Sequence, residues 1–129
     1  MPYLEMPAME QVSGNLAGQA NGAVTQYTFC SIDGDAEIAT ATSGFAGICT
    51  DTAADNAQTG LKVYGIYRLA VNGNSVNIAA MDPLKPTTGG LGVKAATDKD
   101  KYSAIALEAS TTDGDNIPVV LAHGFVSAT

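Results

Sequence analysis

Apolar and polar residues alternate along most of this chain in short runs, each closed by Gly, Asp, Asn or Pro, which is the period of half-buried β-strands. The clearest case is residues 61–70 (LKVYGIYRLA). Leu61, Val63, Gly65, Tyr67 and Leu69 fall on one face, and Lys62, Tyr64, Ile66, Arg68 and Ala70 on the other. Residues 45–49 form a short apolar run before it, and the Thr, Asp, Asn and Gln of residues 52–60 make the loop between. The same pattern predicts strands at 24–31, 37–42, 75–80, 91–96 and 117–122. Asp33-Gly34-Asp35 and Asn72-Gly73-Asn74 read as tight turns, and 87–90 and 97–101 as further turns. Residues 82–86, with two prolines, read as an extended segment at an edge or between sheets. Residues 102–108 fit either a strand or one to two helical turns, because their composition favours helix. Residues 111–116 read as a polar loop.

The pattern is absent at the start of the chain. Residues 1–21 (MPYLEMPAMEQVSGNLAGQAN) carry two prolines, three methionines and no sustained period. They predict an extended arm over 1–22, in which Tyr3, Leu4, Met6 and Met9 are apolar anchors. Such an arm either packs on its own domain or orders against another chain by strand addition or apolar docking. The remainder, 23–129, predicts one mainly β domain, barrel-like or β-tulip-like, with one or two short helices at most. Residues 37–42 (EIATAT) resemble 92–97 (GVKAAT), and each is followed by an apolar run, a Thr/Asp/Asn loop and a Val-containing strand. Two related halves, at about 24–70 and 80–126, explain the similarity; so does chance in an Ala/Gly/Thr-rich chain.

Composition narrows the function classes. At 129 residues there is room for one modest core, and that core is made of small side chains, with no Trp and 6% aromatic residues. Such a core buries little area per residue, so contacts with other subunits or partners are expected to add buried surface. The net charge is −7. Nucleic-acid binding needs clustered Lys and Arg, and the nearest approach, Lys99 and Lys101, is interleaved with Asp98 and Asp100. No apolar run approaches the roughly 20 residues that span a bilayer, and no basic, then apolar, signal pattern opens the chain. Cys30 and Cys49 sit in predicted strands and are expected to be structural thiols, with pairing left open.

Candidate chemistry is sparse. His123 is the single histidine and has no partner motif for a triad. Two cysteines and one histidine do not match zinc-ligand spacings, and Gly89-Gly90-Leu91-Gly92 lacks the Lys-Ser/Thr of a phosphate loop. Asp33, Asp35 and Glu37, or Asp113 and Asp115, could offer oxygens to a hard cation, but Asp-Gly is also what a tight turn requires. The reading is a protein that adheres rather than catalyses, with no cofactor and no metal. A carbohydrate- or receptor-binding β-module is the alternative. Its aromatic platform would have to be built from tyrosines, and Tyr64 and Tyr67 fall on opposite faces of their strand.

Residues 44–69, with GFAGIC, TAADNAQTG and LKVYGIYRL, resemble a segment of the small head-decoration (cement) proteins of tailed phages, of which the lambda-type is one. The DPLK of 82–85, the VKA of 93–95 and the ALEA of 106–109 are similar to a second recurring pattern of capsid-cement proteins, in the same order. Together these cover most of 24–126, and nothing matches in 1–21. The resemblance implies a compact β protein bound to the outer surface of an assembled capsid, commonly as a homotrimer. It further implies an N-terminal arm that contacts the major capsid protein. On that basis Tyr3, Leu4, Met6 and Met9 are expected at the capsid contact. Tyr64, Ile66 and Arg68, on the face not needed for the core, are expected at the trimer contact.

Overall fold

In the computed structural model, which describes residues 15–127, the chain is mainly β and is built as two five-stranded units joined in tandem. The first contains β1 (Asn15–Gln19), β2 (Phe29–Ile32), β3 (Ile38–Thr40), β4 (Gly47–Cys49) and β5 (Gln58–Lys62). Its strand order is β1-β5-β4-β2-β3. The second contains β6 (Gly65–Asn72), β7 (Pro83–Pro86), β8 (Gly92–Lys94), β9 (Lys101–Ala106) and β10 (Asp113–Phe125), and closes into a barrel in the order β10-β6-β8-β7-β9.

The two orders are the same path. Opened at the β6–β8 contact, the barrel reads β6-β10-β9-β7-β8, which matches the first unit strand for strand. The seam that closes the barrel is parallel, through Val71 and Gly92, where every other pairing is antiparallel. The first unit has its counterpart in a parallel bridge between Ala20, just past β1, and Ile38 of β3. Residues 37–42 and 92–97, similar in sequence, carry β3 and β8, which occupy the same place in the two units.

Two hydrophobic clusters follow. The larger fills the barrel with Leu69, Val71, Ile78, Leu84, Ile117, Val119 and Leu121, alternating inward along β6 and β10. Phe29 and Ile48 from β2 and β4 belong to this cluster, although their strands belong to the first unit. The smaller cluster lies on the opposite face of those strands and contains Ala20, Val24, Cys30, Ile38, Cys49, Ala53 and Leu61. Phe29 and Cys30 therefore point into different cores, as adjacent strand residues must. Gly92 in the barrel seam is constrained by this packing, since a Cβ there would lie 2.7 Å from Leu69 and 3.3 Å from the Phe29 ring.

Several elements differ from the sequence expectation. The run 61–70 is two strands, because the chain leaves one unit for the other at 63–64 and Gly65 opens β6 with φ +97. Its alternation survives the break, so Leu61 is buried in the smaller cluster and Leu69 in the larger. Residues 15–19, read as arm, form β1 against β5. Residues 75–80 are not a strand; the Asn72 side chain accepts bonds from the Asn74 and Ser75 amides, and only Ile78 bridges to Ser110. The proline-bounded segment 83–86 is not at an edge but lies between β8 and β9, its prolines at the two ends of the strand. Residues 102–108 resolve as strand rather than helix, since β9 is paired on both sides. The loop 111–116 is already part of β10 from Asp113, kinked by a bulge at Gly114 (φ +82). Helical structure among the described residues is one 3₁₀ turn, Thr88–Gly90.

Candidate interaction surface

The barrel's outer face carries the first candidate. Register places Ile66 of β6 opposite Val120 of β10, Val120 opposite Ile105 of β9, and Ile105 opposite Pro83 of β7. These four side chains form an apolar row across four strands, on the face away from the inward Leu69, Val119 and Leu84. Ile66, at 67% exposure, is its most open member, and Leu107 extends the row beside Pro118. Tyr64 (51% exposed) and the exposed Arg68 flank Ile66. Arg68 is not a loose charge, since its guanidinium donates to the Asn116 side chain at 2.9 Å and to the Asn116 carbonyl at 2.6 Å. Tyr64, Ile66 and Arg68 are thus all exposed, Ile66 and Arg68 on the outward face of β6 and Tyr64 in the connection just before it. The structure adds Val120, Ile105 and Pro83, which no local pattern links to Ile66 because the pairing is between distant strands.

A second surface lies at the end of the barrel. Phe45, before β4, meets Phe125 and His123 of β10 edge to face, each pair of ring centroids 5.6 Å apart. His123 donates from Nε2 to the Ala46 carbonyl at 2.8 Å, because a carbonyl can only accept, and this fixes the ring against the loop. The Lys101 ammonium sits 5.6 Å from the centre of the Phe45 ring. Beside this patch is a cleft of about 600 Å³ whose lining includes Lys85, Lys99, Lys101, Ser43 and Thr87. Lys85 pairs with Asp100 at 2.9 Å, and that contact first, then backbone amides, holds the Asp100 carboxyl below its ordinary value. Phe45 and His123 stand 78 positions apart in the chain, so no spacing in the sequence could bring them together.

The residues considered for chemistry are occupied structurally. One oxygen of Asp33 accepts from the Asp35 and Glu37 amides and the other from the Asn21 side chain at 2.6 Å, and these bonds, the Asn21 bond most, hold its carboxyl below the usual carboxylate range. Oxygens of Asp33, Asp35 and Glu37 come within 4.8 Å of one another, yet three ligands are half of what a hard cation takes. Cys30 and Cys49 are buried free thiols. Contact with Cys49, then burial, pushes the Cys30 thiol far up, while the same contact and the Thr59 hydroxyl draw Cys49 down. Tyr3, Leu4, Met6 and Met9 lie outside the described residues.

A tandem pair of five-stranded antiparallel units, the second closed into a barrel by one parallel seam, defines a mainly β barrel-type fold. That fold is shared with a solved structure described as the crystal structure of head fiber gp8.5 N base in bacteriophage phi29. The two align with a TM-score of 0.66 and 16% identity, over 88% of this chain and 98% of that one. No protein-family model matches the chain, and no curated protein matches it.

Proposed function

We propose that this chain is a structural protein of a phage virion that adheres to the outside of the capsid. The observation that carries the reading is the fold shared with a phage head fiber base over 88% of the chain. The finer reading, a decoration protein that clamps adjacent major capsid subunits as a homotrimer, draws on the resemblance of 44–69 and 82–109 to head-decoration proteins. The apolar row Ile66–Val120–Ile105–Pro83 supports it, since an outward apolar row with an exposed Ile66 and three half-buried members offers apolar area to a protein contact. The mechanism is mass action: surface buried only on the assembled lattice favours that lattice against rupture, and several contacts on one oligomer act together. No catalysis, cofactor or nucleic acid enters this reading.

The test is to mix the purified protein with empty expanded capsids of its phage and measure occupancy. The expected result is saturable binding at fixed stoichiometry, lost in Ile66→Asp while the far-ultraviolet circular dichroism is unchanged. Absence of saturable binding overturns the virion reading. Binding by a species that sedimentation shows to be a monomer on and off the capsid overturns the trimer.

A further inference from the structure

The Phe45 patch and its lysine rim form an exposed surface of aromatic rings beside ammonium groups. Among the described residues the patch combines two exposed aromatic rings, Phe45 at 42% and Phe125 at 59%, with Lys99 and Lys101. Lys85, Lys99 and Lys101 are three of the six Lys and Arg of the chain, and they stand here around Asp100, which pairs with Lys85, so the lysines that face the rings are Lys99 and Lys101. Residues 1–14 (MPYLEMPAMEQVSG) are its complement: Glu5 and Glu10, no basic side chain, and the apolar Tyr3, Leu4, Met6 and Met9.

Strand direction brings the two together. Asn15 pairs with Lys62, and Lys62 pairs with Ile48, so Asn15 and Ile48 lie in one row across β1, β5 and β4. Two strand spacings separate them by roughly 10 Å. Both pairings are antiparallel, so β1 and β4 run the same way. The start of β1 therefore lies at the same end of the sheet as the start of β4, just before which Phe45 stands. A 14-residue segment can reach roughly 45–50 Å, several times the distance required.

We propose that the Phe45–Phe125 patch with Lys99 and Lys101 is the docking surface for residues 1–14 of the same chain. Methionine and tyrosine side chains of the segment cover the two rings, sulfur against ring edge, and Glu5 or Glu10 lies against the lysines. The contact is intramolecular because the segment starts beside its own patch, where its effective concentration is highest. It gives Tyr3, Leu4, Met6 and Met9 a seat in the free subunit, independently of any capsid.

The experiment is nuclear magnetic resonance on the full chain with labelled methionine methyls and phenylalanine rings. Cross-peaks are expected from the Met6 or Met9 methyl to the Phe45 and Phe125 rings, at every protein concentration. They should vanish in Phe45→Ser/Phe125→Ser and weaken in Lys99→Glu/Lys101→Glu or at high salt. Deleting residues 2–14 should shift the Phe45 and Phe125 ring resonances and leave those of the buried Phe29 in place, which also reports that the variant is folded. Ring resonances unmoved by the deletion overturn the proposal. Cross-peaks seen only between separately labelled molecules also overturn it, and assign the patch to a second copy.

Discussion

The two units of this protein share a strand order but not a filling. The barrel of β6–β10 holds large aliphatic side chains from β6, β7 and β10, with Ala104 and Ala106 from β9, whereas the unit of β1–β5 is packed with Ala, Cys, Val, Ile and a single Leu. The barrel closes through a parallel contact of one residue pair, Val71 with Gly92, and the sheet of the first unit carries a single parallel bridge in the same place, Ala20 with Ile38. Topology is therefore indifferent to how much apolar volume the unit contains. What differs is where the first unit spends its large residues, since Phe29 and Ile48 go to the barrel's cluster rather than its own. The first unit thus has a cluster of its own and, through Phe29 and Ile48, a share in the barrel's core.

That asymmetry is open to direct attack. Phe29→Ala should have the largest effect, about 3–5 kcal/mol in denaturant unfolding, because it empties a fully buried ring from the junction of the units. A loss confined to signals of the first unit, with the barrel unaffected, would break the idea that the ring joins both. Next, Ile117→Ala in the barrel should cost about 2–5 kcal/mol. Cys30→Ala in the smaller cluster should cost only about 1 kcal/mol. Equal losses would remove the contrast between the two cores.

Gly90→Ala should cost about 1–3 kcal/mol, since Gly90 has φ +78 and a Cβ there would lie 2.8 Å from the Phe29 carbonyl oxygen. This tests whether the 3₁₀ turn of the barrel unit is seated against β2 as closely as the ring. The smallest effect is the most local. Asp33 is held below its ordinary value by Asn21 and two backbone amides, so its contribution is present above the unfolded value and fades as pH falls through the lower folded one. Asp33→Asn should lower the melting temperature slightly near neutrality, and the difference from wild type should close once pH drops well below about 4. A difference that persists in strong acid would mean that the Asp33 carboxylate charge does not serve the β2–β3 turn.

Much of the local structure was legible in the residues. Alternation identified β2, β3, β6, β8 and β10, the apolar run 45–49 identified β4, and Asp33-Gly34-Asp35 identified the turn between β2 and β3, whereas Gln58–Gly60 of β5 read as loop because of their polar and glycine residues. Local chemistry misled where a long-range partner decided the outcome. The helix-favouring 102–108 became β9 because strands lie on both sides of it, and the prolines of 83–86 entered a closed barrel by occupying strand ends. Conversely, 75–80 lost its strand because Asn72 turned the chain and only Ile78 found a partner. For the candidate surfaces, alternation alone exposed Tyr64, Ile66 and Arg68. The rest of that row and the whole Phe45–His123–Phe125 patch depend on pairing between distant strands, which leaves no local signal.

The two units occupy consecutive stretches of sequence, 15–62 and 65–125, and the backbone passes between them once, at Val63 and Tyr64. Each stretch already contains every strand of its own sheet. A cut at that single passage therefore severs no strand pairing, and the halves keep Phe29 and Ile48 as a non-covalent plug in the barrel's core. The molecule is in this sense a natural split protein, whose two fragments, made separately, are expected to find each other and restore the whole.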